Sequence, residues 1–434
     1  MIRTKPRQIA VHILRQAAQG TDYVERHLAD ALHQHPLAAP DRRLLQELVF
    51  GAIRWQATLD WMIERKTRGR TQKPTLQILL RLGLYQLFWL DRIPNYAVVN
   101  ETVDLAKELG FGPQAGFVNA VLREYGRTRA ETQALLAELK VRQPSLGYSH
   151  PAWLCERWQT RWSPDNLTKI LEWNNSPPPV YARLNSLKTD PARLTAQWKK
   201  EGVQYRPIQY DWTEEGLVFE LLEHSSLAEL PSFQQGLFYV QDPSTLLAVA
   251  MLAPQPGQRI LDQCAAPGGK TTLIAQRMNN QGQIVARDNQ PERLELLREN
   301  CARLAVTCVT TKAPPQPAGE PPALYDRIMV DVPCSNTGVL RRRVDLRWRL
   351  HPGDLERLAV TQLEILRRSA ARLKPGGSLV YSTCSLEPEE NTGVVQRFLA
   401  KSPGFGLETE RLLLPFRDQV DGAYAARLKR SMNG

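Results

Sequence analysis

The chain has 434 residues, of which 42% are hydrophobic and 23% are charged. These fractions are typical of globular proteins and exclude collagen-like, extensively disordered and membrane-embedded classes. The formal net charge of +11 at pH 7 favours anionic partners, and nucleic acid is the first candidate. The length predicts roughly two to four domains.

The cysteines and the start of the chain indicate the cellular environment. Six cysteines are spread along the sequence without a CxxC pair, which favours reduced thiols and no metal site. The opening residues MIRTKPRQIAVHILRQ lack the apolar core of a secretory signal. The most apolar run, residues 75–90, is shorter than a bilayer span and contains Arg81. We therefore expect a cytoplasmic protein that does not enter a membrane, with a buried helix at 75–90.

Three segments of different character follow one another. Residues 1–140 carry apolar side chains at helical spacing, such as Ile9, Ile13 and Ala17, and predict an all-α domain. Residues 141–250 contain a proline-rich turn followed by the strand-like runs VYARLNSL and GLVFELL around the helical run PARLTAQWKKEG. This middle segment predicts a small α+β unit.

Residues 251–434 predict an α/β domain with a doubly wound parallel sheet of the Rossmann-like type. The strand-like runs RILDQCA, QIVARDN, YDRIMVDVP and GSLVYSTC alternate with helical stretches, which is the pattern of such a sheet. The proline-rich run KAPPQPAGEPP, residues 312–322, predicts an irregular loop within this domain.

A glycine-bearing turn follows the first strand of this domain and opens a helix, where open α/β sheets bind ligands. A phosphate-binding P-loop would need glycine at 264, and that residue is Cys264, so ATP is disfavoured. Asp288 ends the next strand, where a carboxylate can accept hydrogen bonds from a ribose. The turn therefore predicts a nucleoside-cofactor site, although glycine pairs also serve packing alone. Its candidate residues are Cys264, Ala265, Ala266, Pro267, Gly268, Gly269, Lys270 and Asp288.

Two further strand ends each present a cysteine, Cys334 after DVP and Cys384 after YST. A lone cysteine is usually a small buried hydrophobe, and we interpret Cys155, Cys301 and Cys308 in that way. A pair beside a cofactor turn suits methylation at C5 of cytosine, since a thiolate that adds at C6 makes C5 nucleophilic. Asp331 could hold the base. The residues alone leave the roles of the two cysteines interchangeable.

The runs DQCAAPGGKT, DVPCSNTGVLRRRVDLRW and YSTCSLEPEEN resemble the cofactor, Pro-Cys and Thr-Cys motifs of the RNA 5-methylcytosine methyltransferases. The resemblance spans essentially the whole chain and is strongest to members that modify bacterial 16S ribosomal RNA. The first domain resembles the NusB fold of antitermination factors, and the middle unit resembles the RNA-binding extension of this family. The chain departs from the family at VTTKAPPQ, which lacks an aspartate, and at Val344, where a proline is usual.

The resemblance implies S-adenosylmethionine as cofactor, with Asp331 also contacting it, and a cytosine of 16S ribosomal RNA as target. It further implies that Cys384 attacks C6, Cys334 promotes elimination and Asp331 holds the base. Methylation at C5 requires a single-stranded or flippable cytosine. A cationic run with one aromatic residue follows the Pro-Cys motif and predicts RNA contacts. Its residues are Arg341, Arg342, Arg343, Arg347 and Trp348.

Two other functions compete with this interpretation. A DNA cytosine-C5 methyltransferase would use Cys334 as nucleophile, but the chain has no large recognition insert after the catalytic motifs. A scaffold that binds RNA without catalysis would explain the missing aspartate, but it would not explain why Asp331, Cys334 and Cys384 occur together. Trp348 could equally belong to a core.

Overall fold

A computed structural model of the protein describes residues 5–20, 22–312 and 324–432. The loop predicted at 312–322 lies outside the described residues except for Lys312. The chain forms two compact units: unit 1 is Met1–Ser176 with Arg341–Arg349, and unit 2 is Pro177–Leu340 with Leu350–Gly434. The domain boundaries predicted at 140 and 250 stay predictions, and unit 1 includes a segment that lies far downstream in the sequence.

The described elements of unit 1 are all helices, and over residues 5–140 this agrees with the apolar spacing. Residues 141–176, which the sequence predicts as part of the α+β segment, are also helical in this unit. Its helices are α1 (Pro6–Gln19), α2 (Val24–Gln34), α3 (Ala39–Arg54), α4 (Gln56–Thr67), α5 (Pro74–Trp89), α6 (Asn95–Glu108), α7 (Ala115–Arg127), α8 (Arg129–Arg142), α9 (Pro144–Gly147), α10 (Ala152–Gln159) and α11 (Pro164–Asn175). The short helix Leu346–Arg349, named α17 from its order in the chain, also belongs to unit 1.

The centre of unit 1 is α5, whose apolar residues face neighbours on all sides. Ten of its sixteen residues are buried, including Leu79, Leu80 and Leu84. A helix that is apolar all round is stable only inside a core, so the buried helix predicted at 75–90 is confirmed. Val344 from the downstream segment is buried in this same core, and Trp348 packs partly buried against it.

Unit 2 begins with the small α+β structure that the middle segment predicts. Four antiparallel strands pair in the order β2-β3-β1-β4. The elements are β1 (Val180–Leu184), α12 (Pro191–Glu201), β2 (Gln204–Ile208), β3 (Val218–Glu223), α13 (Pro231–Gln234) and β4 (Phe238–Val240). Trp198 of α12 is fully buried against this sheet, among Phe219 and Phe238.

The rest of unit 2 is a seven-stranded sheet in the order β10-β11-β9-β8-β5-β6-β7. Strands β5 to β9 are parallel, and β11 is antiparallel to both of its neighbours. This mostly parallel sheet confirms the predicted Rossmann-like α/β class. Its elements are α14 (Leu246–Leu252), β5 (Arg259–Gln263), α15 (Gly269–Arg277), β6 (Gln283–Arg287), α16 (Pro291–Arg303), β7 (Val309–Lys312), β8 (Tyr325–Asp331), α18 (Pro352–Ala370), β9 (Leu373–Thr383), α19 (Thr392–Leu399), β10 (Phe405–Leu413), α20 (Pro415–Asp418) and β11 (Ala423–Arg430).

Throughout the described ranges, no helix is both long enough and apolar enough to cross a membrane.

Candidate active site

The predicted cofactor turn connects β5 to α15 at the carboxyl end of the sheet. Cys264 has φ +63° and Gly268 has φ +104°, so the chain reverses sharply between them. The Ala265 N–H donates to the Arg287 carbonyl at 2.7 Å, which attaches the turn to the end of β6. A Cβ at Gly268 would lie 3.1 Å from the Leu297 side chain, so the conformation and the close packing both favour glycine.

Arg183 of β1 reaches the start of α15 from the small sheet. Its buried guanidinium donates to the Gly269 carbonyl at 2.6 Å, to Thr272 Oγ1 at 2.9 Å and to Gln241 Oε1. A buried cation bonded in this way holds the start of α15, the helix that follows the predicted cofactor turn. Sequence reasoning missed Arg183, because its partners lie on other elements far along the chain.

Asp288 lies at the end of β6, as predicted, and only 3% of the residue is exposed. Its carboxylate accepts the Ala266 N–H at 3.2 Å and the Gln290 N–H at 3.1 Å, and Arg293 is 3.6 Å away. An ionised carboxylate has about four acceptor positions. The two backbone donors therefore leave acceptor capacity for hydroxyl groups, while they hold the carboxylate against the turn.

Another carboxylate, that of Asp262, lies on β5 directly beneath the turn and is fully buried. Thr271 Oγ1 donates to its Oδ2 at 2.6 Å, and Oδ1 has no hydrogen-bond partner among the described residues. Burial raises the pKa of Asp262 to about 7. Burial and the neighbouring carboxylates also raise the pKa of the Cys264 thiol to about 12, so Cys264 is an unreactive thiol at neutral pH.

Asp331 ends β8 beside Ser382 of β9, its register partner. Lys270 Nζ donates to its Oδ2 at 2.7 Å, and Ser382 Oγ donates to its Oδ1 at 2.8 Å. Burial lowers the pKa of Lys270, but the charge and hydrogen bond of Asp331 outweigh that effect and raise it overall. Lys270 is therefore a fixed cation that orients Asp331. Through Lys270 and Ser382, Asp331 connects the predicted cofactor turn to β9, the strand that leads to Cys384.

The two predicted cysteines meet at this edge of the sheet. The sulfur atoms of Cys334 and Cys384 are 3.3 Å apart, and both residues are partly exposed. The Cys384 thiol donates to Asn336 Oδ1 at 2.9 Å, while Asn336 Nδ2 donates to the Cys334 carbonyl at 2.7 Å. The hydrogen bond to Cys384, together with burial, raises the pKa of Cys334 well above that of an ordinary thiol.

Glu390 lies beneath the two cysteines and is fully buried. It accepts hydrogen bonds from the serines that directly follow them, Ser335 and Ser385. Gln362 of α18 donates to Glu390 Oε1 at 2.9 Å. Burial raises the pKa of Glu390, whereas these hydrogen bonds lower it. The motif YSTCSLEPEEN contained this glutamate, but nothing in its spacing separated it from Glu389.

The residues predicted to contact RNA occupy very different positions. Arg347 is fully buried in unit 1, where its guanidinium donates to the Ser149 carbonyl at 3.1 Å, the Asn174 carbonyl at 2.9 Å and Asn175 Oδ1 at 2.9 Å. Burial lowers its pKa to about 9, so it remains charged at pH 7. A side chain enclosed in this way has no surface for RNA, and the predicted RNA contact of Arg347 is corrected to a structural role in unit 1.

The other four residues of that run range from buried to exposed. Arg341 is 2% exposed and stacks on Trp173 at 3.9 Å, and Trp348 Nε1 donates to the Ile53 carbonyl at 2.8 Å. Trp348 thus has the core role that was its alternative interpretation. Arg342 is half-buried and Arg343 is exposed. These two residues have side-chain surface that solvent can reach.

Models of known families match three stretches of the chain. Residues 4–127 match the NusB family, residues 150–221 match a ferredoxin-like domain of the RsmF/B-like methyltransferases, and residues 249–429 match the 16S rRNA methyltransferase RsmB/F model. A solved methyltransferase homologue from Pyrococcus horikoshii is 30% identical, covers 66% of this chain and 97% of its own, and has a TM-score of 0.58.

Named relatives match almost the full length. The probable ribosomal RNA small subunit methyltransferase B of Synechocystis sp. is 37% identical over 98% of this chain and 99% of its own. The ribosomal RNA small subunit methyltransferase B of Vibrio cholerae is 37% identical over 92% of this chain and 91% of its own. The chain therefore belongs to the 16S rRNA methyltransferase RsmB/F family and is an rRNA methyltransferase.

Proposed function

We propose that this protein transfers a methyl group from S-adenosylmethionine to C5 of a cytosine in 16S ribosomal RNA, through a covalent bond between Cys384 and C6 of the base. The observation that carries the proposal is the thiol pair: two sulfur atoms 3.3 Å apart, at the strand edge that also presents Asp331. Because the proposed substrate is ribosomal RNA, we expect the reaction to take place in the cytoplasm.

The residues at the cofactor turn fit S-adenosylmethionine by their chemistry. Asp288 retains acceptor capacity for ribose hydroxyls, and the turn from Cys264 to Gly269 opens α15, whose amino end favours a carboxylate. Asp331 and Lys270 complete a set of donors and acceptors suited to an amino acid group. When bound, the cofactor supplies an electrophilic methyl group.

The two cysteines have different roles in this reaction. The Cys384 thiolate adds to C6, and the electron pair of the C5–C6 double bond then becomes the nucleophile at C5. After methylation, a base accepts the C5 proton, the C5–H electron pair restores the C5–C6 double bond, and Cys384 leaves as a thiolate. The raised pKa of Cys334 disfavours its thiolate and therefore its role as the nucleophile. In the elimination Cys334 acts as the base: once its own proton has left to solvent, its thiolate accepts the C5 proton and becomes the thiol again.

Asp331 holds the target base in this scheme. Its carboxylate is fixed from two sides by Lys270 and Ser382, and a fixed carboxylate can accept a hydrogen bond from the N4 amino group of cytosine and so hold the base while C6 is attacked. The base must leave its stack to reach this edge, so a single-stranded or flippable cytosine is the expected target. Arg342 and Arg343 remain candidate RNA contacts because their side chains are at least partly exposed.

The experiment that tests the roles compares cysteine variants on ribosomal RNA. We expect Cys334→Ala to accumulate a covalent protein–RNA adduct, because elimination is slowed after Cys384 has attacked. Cys384→Ala should form no adduct, and Cys301→Ala, which removes a buried thiol of α16, should turn over normally. An adduct formed by the Cys384 variant would overturn the assignment and favour Cys334 as the nucleophile, as in the DNA enzymes.

Two further measurements separate catalysis from RNA binding alone. Bisulfite sequencing of ribosomal RNA from cells without the protein should show one lost methylcytosine, and no loss would favour the scaffold. Calorimetry should show weaker S-adenosylmethionine binding by Asp288→Ala, since that change removes the carboxylate held at the turn. Unchanged binding would exclude Asp288 from the cofactor site.

A further inference from the structure

The loops that carry the two cysteines share one buried carboxylate. Glu390 Oε1 accepts the Ser335 N–H at 2.8 Å, and its Oε2 accepts the hydroxyl groups of Ser335 and Ser385. Ser335 directly follows Cys334, and Ser385 directly follows Cys384. The two hydroxyl oxygens are 3.0 Å apart. One side chain therefore binds the residue after each cysteine and connects the two loops.

Glu390 is itself fixed from other elements of the same unit. Gln362 of α18 donates to Glu390 Oε1 at 2.9 Å and to the Pro333 carbonyl at 2.9 Å. Tyr381 of β9 donates its hydroxyl to the Glu390 carbonyl at 2.5 Å. Both the side chain and the backbone of Glu390 are thus held, and the residue has no solvent exposure. A satisfied buried network of this kind is rigid.

We propose that Glu390 is a positioning residue that sets the distance between the Cys334 and Cys384 sulfurs by holding their two loops together. The catalytic consequence rests on the proposed function, in which attack by Cys384 and elimination aided by Cys334 occur on one base. Glu390 contacts neither sulfur in the described structure, so it acts through Ser335 and Ser385. A misplacement of about 1 Å can lower a rate by about 100-fold.

The chemistry of the network distinguishes two substitutions. Glu390→Gln can keep every link: its Oε1 can accept from Ser335 N–H and Gln362, and its amide nitrogen can donate to the two serine oxygens, because hydroxyls both donate and accept. Glu390→Ala removes every side-chain link and leaves the serine hydroxyls without the carboxylate. A matched control is Ser369→Ala, a buried serine of α18 whose hydroxyl donates to the Ile365 carbonyl of its own helix.

The test uses the full chain without RNA or cofactor and a probe of thiol proximity. Dibromobimane becomes fluorescent only when both of its arms have alkylated a thiol, and mass spectrometry identifies the bridged peptides. We expect efficient Cys334–Cys384 bridging in the unsubstituted protein, in Glu390→Gln and in Ser369→Ala, and several-fold lower bridging in Glu390→Ala. Thermal unfolding confirms that each variant is folded. If Glu390→Ala does not fold, Ser385→Ala takes its place as the test variant, because it removes the hydroxyl bond that links Glu390 to the Cys384 loop. Ser335→Ala is not equivalent, since the Ser335 N–H still donates to Glu390.

The kinetic arm measures methyl transfer. Glu390→Ala should lose about 100-fold in kcat with the KM for RNA within about twofold, and Glu390→Gln should restore most of that loss. Normal bridging in folded Glu390→Ala or, where that variant does not fold, in Ser385→Ala would overturn the positioning role. If bridging falls as expected but the unsubstituted protein shows no methyl transfer, the positioning role stands and the proposed function fails.

Discussion

Gly338 offers a direct test of how closely the loops of the active site are packed. Its N–H donates to the Cys384 carbonyl at 2.9 Å, and its own carbonyl accepts the Gly422 N–H at 2.8 Å. A Cβ at Gly338 would lie 2.5 Å from the Gly422 oxygen and 2.8 Å from the Cys384 oxygen. Both contacts are to backbone, which cannot move aside as a flexible side chain can.

The size of the effect of Gly338→Ala follows from these distances. Normal contact between such atoms needs about 3.5 Å, so the loops must separate by up to about 1 Å. Overpacking of this kind costs about 1–3 kcal/mol in the free energy of unfolding. Because one displaced group is the Cys384 peptide, kcat should fall by about 100-fold.

The assay combines thermal unfolding with steady-state methylation of ribosomal RNA. Gly353→Ala is the control, since nothing lies within 4 Å of its Cβ position in the first turn of α18. That change should stabilise the protein by about 0.4–1 kcal/mol, because alanine restricts the unfolded chain. The packing argument is refuted if Gly338→Ala unfolds at the temperature of the unsubstituted protein and retains its kcat.

Three more predictions concern buried polar groups. The pKa of Asp262 is raised to about 7, so the stability that its protonated form contributes is full below its unfolded pKa near 4 and is lost as pH rises to 7. Between about pH 4 and pH 7 the free energy of unfolding of Asp262→Asn should therefore rise by up to about 4 kcal/mol relative to that of the unsubstituted protein. Parallel plots of unfolding free energy against pH for the two proteins would contradict this. Arg347→Met should destabilise the protein by at least about 3 kcal/mol in urea unfolding, since three oxygens lose a charged donor; an unchanged midpoint would disprove the structural role. Arg183→Met should weaken S-adenosylmethionine binding in calorimetry, because the start of α15 loses its bonds at Gly269 and Thr272, and unchanged affinity would exclude that link.

The sequence was informative where residues were apolar and periodic. The runs RILDQCA, QIVARDN, YDRIMVDVP and GSLVYSTC correspond to β5, β6, β8 and β9, because central parallel strands are buried on both faces and show as continuous apolar runs. Strands β2 and β10 were not predicted. They lie at sheet edges and expose polar residues such as Gln204, Glu408 and Glu410, so their sequences carry little of that signal.

The roles of the remaining residues depend on tertiary contacts that the sequence does not show. A cationic run indicates a charge, but it does not tell whether the charge faces water or an internal set of carbonyl groups, and Arg347 proved to be internal. Glu390 was overlooked because its partners Ser335 and Gln362 lie 55 and 28 positions away. Cys334 and Cys384 could be paired in advance only because the carboxyl ends of parallel strands share an edge.

Asp331 connects the predicted cofactor turn to the strand that leads to Cys384. Lys270, at the start of α15, binds one oxygen of this carboxylate, and Ser382, near the end of the strand that leads to Cys384, binds the other. A shift of either element therefore moves the same carboxylate. In the proposed reaction this coupling keeps the base that Asp331 holds aligned with both the methyl donor and the Cys384 sulfur, and that alignment is the condition for attack at C6 and methylation at C5 to occur in sequence.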